Sequence, residues 1–254
     1  LFPYTTLFRS LILSGGTHIM ISFVPPDLKQ ADVLNIFIEG DGEPGVALRL
    51  AQETGGNSVY IGRPCQYLKV TRFNSCNREL WTSHRYSQDV VDSMDKAISA
   101  LKQQYQASQV RLVGYSGGGA IASIIASKRS DVALLLTIAG NLDHRWWTEF
   151  NDSAPLSGSL NPIDYSAALE TVPQVHLIGD HDFVVPGSVL MSYLSKFKTR
   201  DKVKSYLVGG ADHTCCWSMA VAAVLGSPHP PRCSHTQSAK KKLLWLQARG
   251  PPPP

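Results

Sequence analysis

The sequence predicts an α/β fold, a mostly parallel central sheet flanked by helices, and three observations carry that expectation. Short apolar runs alternate with helix-length segments from residue 33 to residue 208. The run 132–138, VALLLTI, is almost continuously apolar, as strands covered on both faces are. A Gly-rich turn at 114–119 stands between a β-rich run and an Ala- and Ile-rich segment. Strands separated by helical crossovers pair parallel, with right-handed connections, into an open sheet between helix layers.

In chain order, strands are expected at 33–38, 58–62, 110–113, 132–138, 175–178 and 203–208. The first ends in Glu39-Gly40-Asp41-Gly42, a tight turn. A short helix is expected at 46–53, closed by Gly55-Gly56. Val90, Val91, Met94, Ile98 and Leu101 fall at helical spacing within 87–104, with Ser87 placed to cap the N-terminus. Further helices are expected at 120–126 and 187–197. The segment 141–171, with Trp146, Trp147, Pro155, Gly158 and Pro162, has no clean strand and interrupts the rhythm. It reads as a small cap over the strand ends or as a long surface loop. No internal repeat is visible.

A chain of 254 residues suits one such domain. With 43% apolar and 17% charged residues it closes a core and is not a disordered chain. The formal charge of +4 is small, and its most compact basic run, Lys240-Lys241-Lys242, is not interleaved with aromatic contacts. Nucleic acid is therefore not an expected partner. No apolar stretch reaches the roughly twenty residues that cross a bilayer, so no transmembrane segment is expected.

Both ends are set apart from the expected domain at 11–226. Residues 2–10, FPYTTLFRS, resemble the in-frame translation of a sequencing adapter, so 1–10 is read as a scar on a metagenome-derived gene whose own N-terminus is missing. Leu11-Ile12-Leu13 could be a remnant of a signal segment. The stretch 227–254 is Pro-rich and basic and ends in four prolines, a composition expected of a disordered tail. Of the five cysteines, Cys65 and Cys76 flank polar loop residues and suit a surface disulfide if the protein is exported. Cys215 or Cys216 would then be buried, and Cys233 falls in the tail.

Gly114-Tyr115-Ser116-Gly117-Gly118 matches G-x-S-x-G, the nucleophile elbow, and has the strand-to-helix context that the motif requires. The flanking glycines let neighbouring backbones approach while the turn lifts the hydroxyl to the sheet's C-terminal edge. A plain Gly-rich turn is the rival reading. A phosphate loop is excluded because Ala120 and Ile121, not Lys-Ser/Thr, follow the glycines. The elbow specifies the α/β-hydrolase fold, whose acid and base follow in the order Ser, Asp, His at later strand ends. Asp182, in Gly179-Asp180-His181-Asp182-Phe183-Val184-Val185-Pro186, is the candidate acid, with Asp180 as the alternative. His213 is the candidate base. Of its rivals, His176 sits inside a strand run, His235 in the tail, and His181 between two aspartates, where with His213 it also invites a metal reading. The acid–base reading explains the same residues with fewer assumptions, and neither metal nor other cofactor is expected. The oxyanion donors would be the backbone N–H groups of Gly117 and Asp41. Tyr115, Trp146 and Trp147 are candidates for lining a substrate pocket, or for packing.

Several stretches together resemble a group of poorly characterised bacterial α/β-hydrolase proteins. They are Ile38-Glu39-Gly40-Asp41-Gly42, Gly62-Arg63-Pro64-Cys65-Gln66-Tyr67, Trp81-Thr82-Ser83 and Arg85-Tyr86-Ser87. Residues 113–119, Ala139-Gly140-Asn141-Leu142-Asp143, Gly158-Ser159-Leu160-Asn161-Pro162 and His213-Thr214-Cys215-Cys216-Trp217 complete the set. The resemblance implies a serine hydrolase, often exported to the periplasm, secreted or lipid-anchored. The expectation is a monomeric esterase or lipase-like enzyme acting on a small or polymeric carboxylic ester through an acyl-enzyme. An acyltransferase or thioesterase on the same triad, and a non-catalytic binding protein on a hydrolase scaffold, are the alternatives.

Overall fold

The computed structural model describes residues 8–42, 45–67 and 76–227. The expected tail beyond Ser227, with Cys233 and His235, lies outside the described residues, as do the first seven residues of the expected scar. Eight strands form one sheet: β1 (Arg9–Ser14), β2 (Ile19–Val24), β3 (Val33–Ile38), β4 (Ser58–Ile61), β5 (Gln109–Tyr115), β6 (Val132–Ile138), β7 (Gln174–Gly179) and β8 (Val203–Val208). Their spatial order is β1-β2-β4-β3-β5-β6-β7-β8. From β4 to β8 every pairing is parallel, and β2 joins β1 and β4 antiparallel.

The helices are α1 (Val46–Thr54), α2 (Gln88–Gln104), α3 (Gly117–Ala126), α4 (His144–Phe150), α5 (Ser166–Leu169), α6 (Gly187–Leu194) and α7 (Ser218–Leu225). In α2 the buried set Val90, Val91, Met94, Ala97, Ile98 and Leu101 forms one apolar stripe along a helix of 17 residues. Ser87 occupies the position before it with an extended backbone, but its hydroxyl makes no capping bond, contrary to the expected role. In α3 every residue is buried, which its Ala- and Ile-rich sequence permits on all sides. The centre of the sheet is equally dry: Leu34, Ile36 and Ile38 of β3 are 0% exposed. Each such side chain contributes about 1.5–3 kcal/mol by leaving water. The central parallel strands thus lie inside the core, while β8 at the edge has only Val208 buried, and all share one rim at their C-terminal ends.

Outside segment 141–171, two strands and one helix named above were not expected from the sequence. Arg9 and Ser10, inside the stretch read as a scar, begin β1, which returns through Gly15 and Gly16 into β2. Setting 1–10 aside as foreign removes the first two residues of β1, Arg9 and Ser10, from view. Helix α7 follows the last strand and ends at Gly226 in the left-handed conformation that glycine adopts freely.

Segment 141–171 contains no strand, as expected. It holds α4, a 3₁₀ turn at Pro162–Tyr165 and α5, and it buries Leu156, Ile163 and Leu169. The Asp143 carboxylate ties it together, accepting from Asn161 Nδ2 over 2.8 Å and from the Ser192 hydroxyl of α6 over 2.6 Å. It is a packed insertion rather than a loose loop. Cys65 and Cys76 are joined in a disulfide with Cα atoms 5.8 Å apart. Cys215 and Cys216 are joined to each other. Neither is buried, which corrects the expectation of a buried thiol there. Adjacent residues in an exposed turn have no core to enter. Among the described residues no helix is long and apolar enough to cross a membrane.

Candidate active site

The end of β5 positions Ser116. Its backbone lies at φ 52° and ψ −120°, a conformation that side-chain-bearing residues rarely adopt, and α3 starts at the next residue. Three backbone bonds hold the turn: Ser116 N–H to Ile138 O over 2.9 Å, and Gly119 N–H and Asn141 N–H to Ser116 O over 2.9 and 3.0 Å. Glycine is required by close approach. A Cβ on Gly114 would overlap the Gly118 carbonyl oxygen, and one on Gly118 would overlap the carbonyl oxygens of Ile38 and Glu39.

Asp182 lies in the turn after β7. Its Oδ1 accepts from the amides of Val184 and Val185, each over 2.9 Å, so the short loop folds back on the carboxylate. Its side chain is wholly shielded from solvent, while that of His213 is 17% exposed. His213 lies in the turn after β8, shaped by Asp212, whose Oδ1 accepts from Thr214 N–H and Cys215 N–H over 2.8 Å each. Arg49 of α1 adds a bond from Nη2 to Thr214 O over 2.9 Å.

These turns bring the three side chains together. His213 Nδ1 is 2.9 Å from Asp182 Oδ2, and His213 Nε2 is 3.1 Å from the Ser116 hydroxyl. Asp180, the alternative acid, faces elsewhere: it meets His181 Nδ1 at 2.7 Å and Gly210 N–H at 2.7 Å. His181 is therefore paired away from His213. His176 is buried, with Nδ1 2.7 Å from the Thr137 hydroxyl, and burial lowers it from an ordinary 6.5 to about 3.

The turn after β3 runs against the elbow. An added Cβ on Gly40 would stand 2.9 Å from the Tyr115 ring and 3.0 Å from Ser116 Cβ. An added Cβ on Gly117 would stand 2.5 Å from Asp41 Oδ1, so the Asp41 carboxylate packs directly on Gly117. As the first residue of α3, Gly117 has an N–H without an acceptor inside the helix. Tyr115, expected at a pocket, is only 6% exposed and donates its hydroxyl to His213 O over 2.8 Å. Trp146 is half-buried and stacks on Phe150 at 4.9 Å, while Trp147 donates from Nε1 to Val184 O over 2.7 Å. Trp147 thus joins α4 to the loop that carries Asp182, while the Trp146 stack lies within α4.

Residues without an assigned role in the sequence cluster at the same turn. The Asp41 carboxylate accepts from Arg63 Nη1, from Arg85 Nη1 over 3.0 Å and from the Tyr86 hydroxyl over 2.6 Å. Burial opposes the Asp41 charge, but Arg63, Arg85 and Tyr86 outweigh it and hold the carboxyl below its ordinary value. Glu39, 1% exposed, accepts from the amides of Gly40, Gly45 and Ala47 over 3.1, 2.9 and 3.2 Å. Burial nevertheless raises it above its ordinary value. The stretches containing Arg63 and Arg85-Tyr86 stand out in the sequence as motifs, but only the fold shows that they meet at Asp41.

Against known proteins, a family model described as Lipase (class 3) matches residues 63–131, a span that includes Ser116. No curated protein matches the chain by sequence. An esterase from Pyrococcus furiosus is similar in structure with a TM-score of 0.64 and 11% identity, covering 87% of this chain and 91% of that one. An acetyl xylan esterase from Paenibacillus sp. R4 is similar with a TM-score of 0.63 and 14% identity, covering 89% and 84%. An α/β serine hydrolase homologue from Coxiella burnetii has a TM-score of 0.58 and 14% identity, covering 85% and 93%. With the strand order above, these likenesses show that the chain has the α/β-hydrolase fold.

Proposed function

We propose that the protein is a serine hydrolase of carboxylic esters working through an acyl-enzyme. One observation carries the reading: a single imidazole, His213, spans the 3.1 Å to the Ser116 hydroxyl and the 2.9 Å to the Asp182 carboxylate. A serine hydroxyl is a weak nucleophile until a positioned base takes its proton, and both distances lie within hydrogen-bond reach. The match to the Lipase (class 3) model and the likeness to esterases support the same class of reaction.

In this mechanism Ser116 Oγ attacks the ester carbonyl as its proton passes to His213 Nε2. Asp182 accepts from His213 Nδ1–H, which selects the tautomer whose Nε2 is free and stabilises the imidazolium that forms. The oxyanion meets the N–H groups of Gly117 and Asp41, donors of a kind worth about 3 kcal/mol each in the transition state. His213 then protonates the leaving alcohol, and water repeats the sequence on the acyl-serine to release the acid. Trp147 borders the acid loop, and it and its neighbour Trp146 are the side chains assigned to meet the acyl or alcohol part. The reading gives Tyr115 the role of a strut under His213 rather than a pocket wall.

The test is labelling by a fluorophosphonate together with turnover of nitrophenyl esters of increasing acyl length. Wild type is expected to take the label at one serine and to hydrolyse at least one ester. Ser116→Ala is expected to lose both with its melting temperature nearly unchanged. Retention of turnover in that variant removes the mechanism, and an unlabelled wild type favours a binding protein on the same scaffold. Product transferred to an added alcohol acceptor would identify acyl transfer on the same triad.

A further inference from the structure

We propose that Arg63 and Gln66 are positioning residues for the oxyanion donor at Asp41, an inference that rests on the function proposed above. The Asp41 turn lies between Ser116 and the chain that leaves β4. On one side Gly40 touches the Tyr115 ring and Ser116. On the other, Gln66 Nε2 donates to Gly40 O over 2.9 Å and to Gly42 O over 3.3 Å, gripping the carbonyls of the residues before and after Asp41, the first of which shares its peptide unit with the Asp41 N–H. Gln66 is itself held, because its Oε1 accepts from Arg63 N–H over 2.7 Å. Arg63 then reaches back with Nη1 to the Asp41 carboxylate and with Nη2 to Arg85 O. Main chain and side chain of Asp41 are thus clamped by two residues three positions apart in sequence, both buried.

The clamp has an electrostatic consequence. The Asp41 carboxylate packs on Gly117, so an uncompensated negative charge would lie beside the place where the oxyanion develops. Two guanidiniums on that one carboxylate, Arg63 and Arg85, leave the cluster net positive. Arg63 therefore acts twice, fixing the turn and cancelling a charge that would oppose the reaction. The Cys65–Cys76 disulfide lies in the same short loop and ties it to the stretch leading to Arg85. The hydrogen bonds of Arg63 and Gln66 go to the Asp41 turn, to Arg85 O and to each other, so both act through Asp41.

The experiment compares wild type with Arg63→Gln, Arg63→Lys and Gln66→Ala by kcat, KM and inhibition by an alkyl trifluoromethyl ketone. That inhibitor forms a tetrahedral adduct bearing an oxyanion on the serine. Loss of one oxyanion donor lowers kcat by about 10²–10³ elsewhere. Arg63→Gln and Gln66→Ala are expected to lower kcat by about tenfold or more with KM within a few-fold. Ketone inhibition should weaken in step with kcat/KM, and Arg63→Lys, which keeps the charge, should recover part of both. A merely structural role would lower the melting temperature without linking ketone affinity to kcat/KM. Folded variants with kcat within twofold of wild type overturn the inference alone. If Arg63→Gln does not fold, Gln66→Ala carries the same comparison without altering any charge. Wild type inert to both fluorophosphonate and esters overturns the proposed function and this inference together.

Discussion

The hydroxyl of Tyr115, the residue before the elbow serine, donates to the backbone carbonyl of His213 over 2.8 Å, and the two rings stand 5.2 Å apart. The end of β5 therefore supports the histidine loop directly, across a separation of 98 residues. Trp217 Nε1 reaches the same carbonyl over 3.3 Å, so two donors hold one acceptor. Through this carbonyl, the distance between serine and histidine depends on one buried phenol as well as on the loop itself.

Tyr115→Phe removes the shorter of those bonds while keeping the ring. A net loss of about 1 kcal/mol is expected, the usual worth of one such bond, measured by urea denaturation. Turnover should fall several-fold as His213 loosens, and combining the change with Trp217→Phe should cost more than the sum of the two. Strict additivity would show that the carbonyl does not couple them.

Asp182→Asn keeps an oxygen for the amides of Val184 and Val185, so the loop should persist and the melting temperature change little. The new amide N–H would face His213 Nδ1 and favour the tautomer in which Nε2 carries the proton. Turnover should fall by a factor on the order of 10⁴, as when a triad aspartate becomes asparagine elsewhere. Activity near wild type would remove Asp182 from the proposed mechanism.

Acid should expose the buried His176. Burial lowers it from 6.5 to about 3, so below pH 6.5 the unfolded chain takes up a proton that the folded chain does not. Its contribution to stability is full above pH 6.5 and falls with pH by about 1.4 kcal/mol per unit until the folded value is reached. In denaturant titrations between pH 6 and pH 4, His176→Gln should show a slope shallower by that amount. Equal slopes in the two proteins would mean that His176 is not held neutral.

How much of this was legible follows from the range of each interaction. The strands at 33–38 and 132–138 have the bounds read from their apolar runs, because burial along most of their length leaves little else in the segment. The strand at 203–208 also keeps its bounds, although it is an edge strand in which only Val208 is buried. The hairpin at β1 and β2 escaped for a local reason, since its first residues were set aside as foreign. Ser87 illustrates a weaker limit: a capping residue type stands at the right position, yet its side chain makes no capping bond. At the candidate site, Ser116, Asp182 and His213 were each legible from motif and strand order. Arg63, Gln66 and Arg85 were visible only as parts of motifs without a role.

The sequence by itself determined the kind of sheet, the position of the elbow and the strand ends from which an acid and a base would come. These depend on steric and apolar patterns confined to a few neighbouring residues. Only the tertiary structure decided that His213 meets Asp182 rather than Asp180, that Tyr115 supports the histidine loop, and that Arg63 and Arg85 converge on Asp41. Those are distances between turns on separate strands, fixed by how the parallel sheet packs between its helices, and no local pattern encodes them.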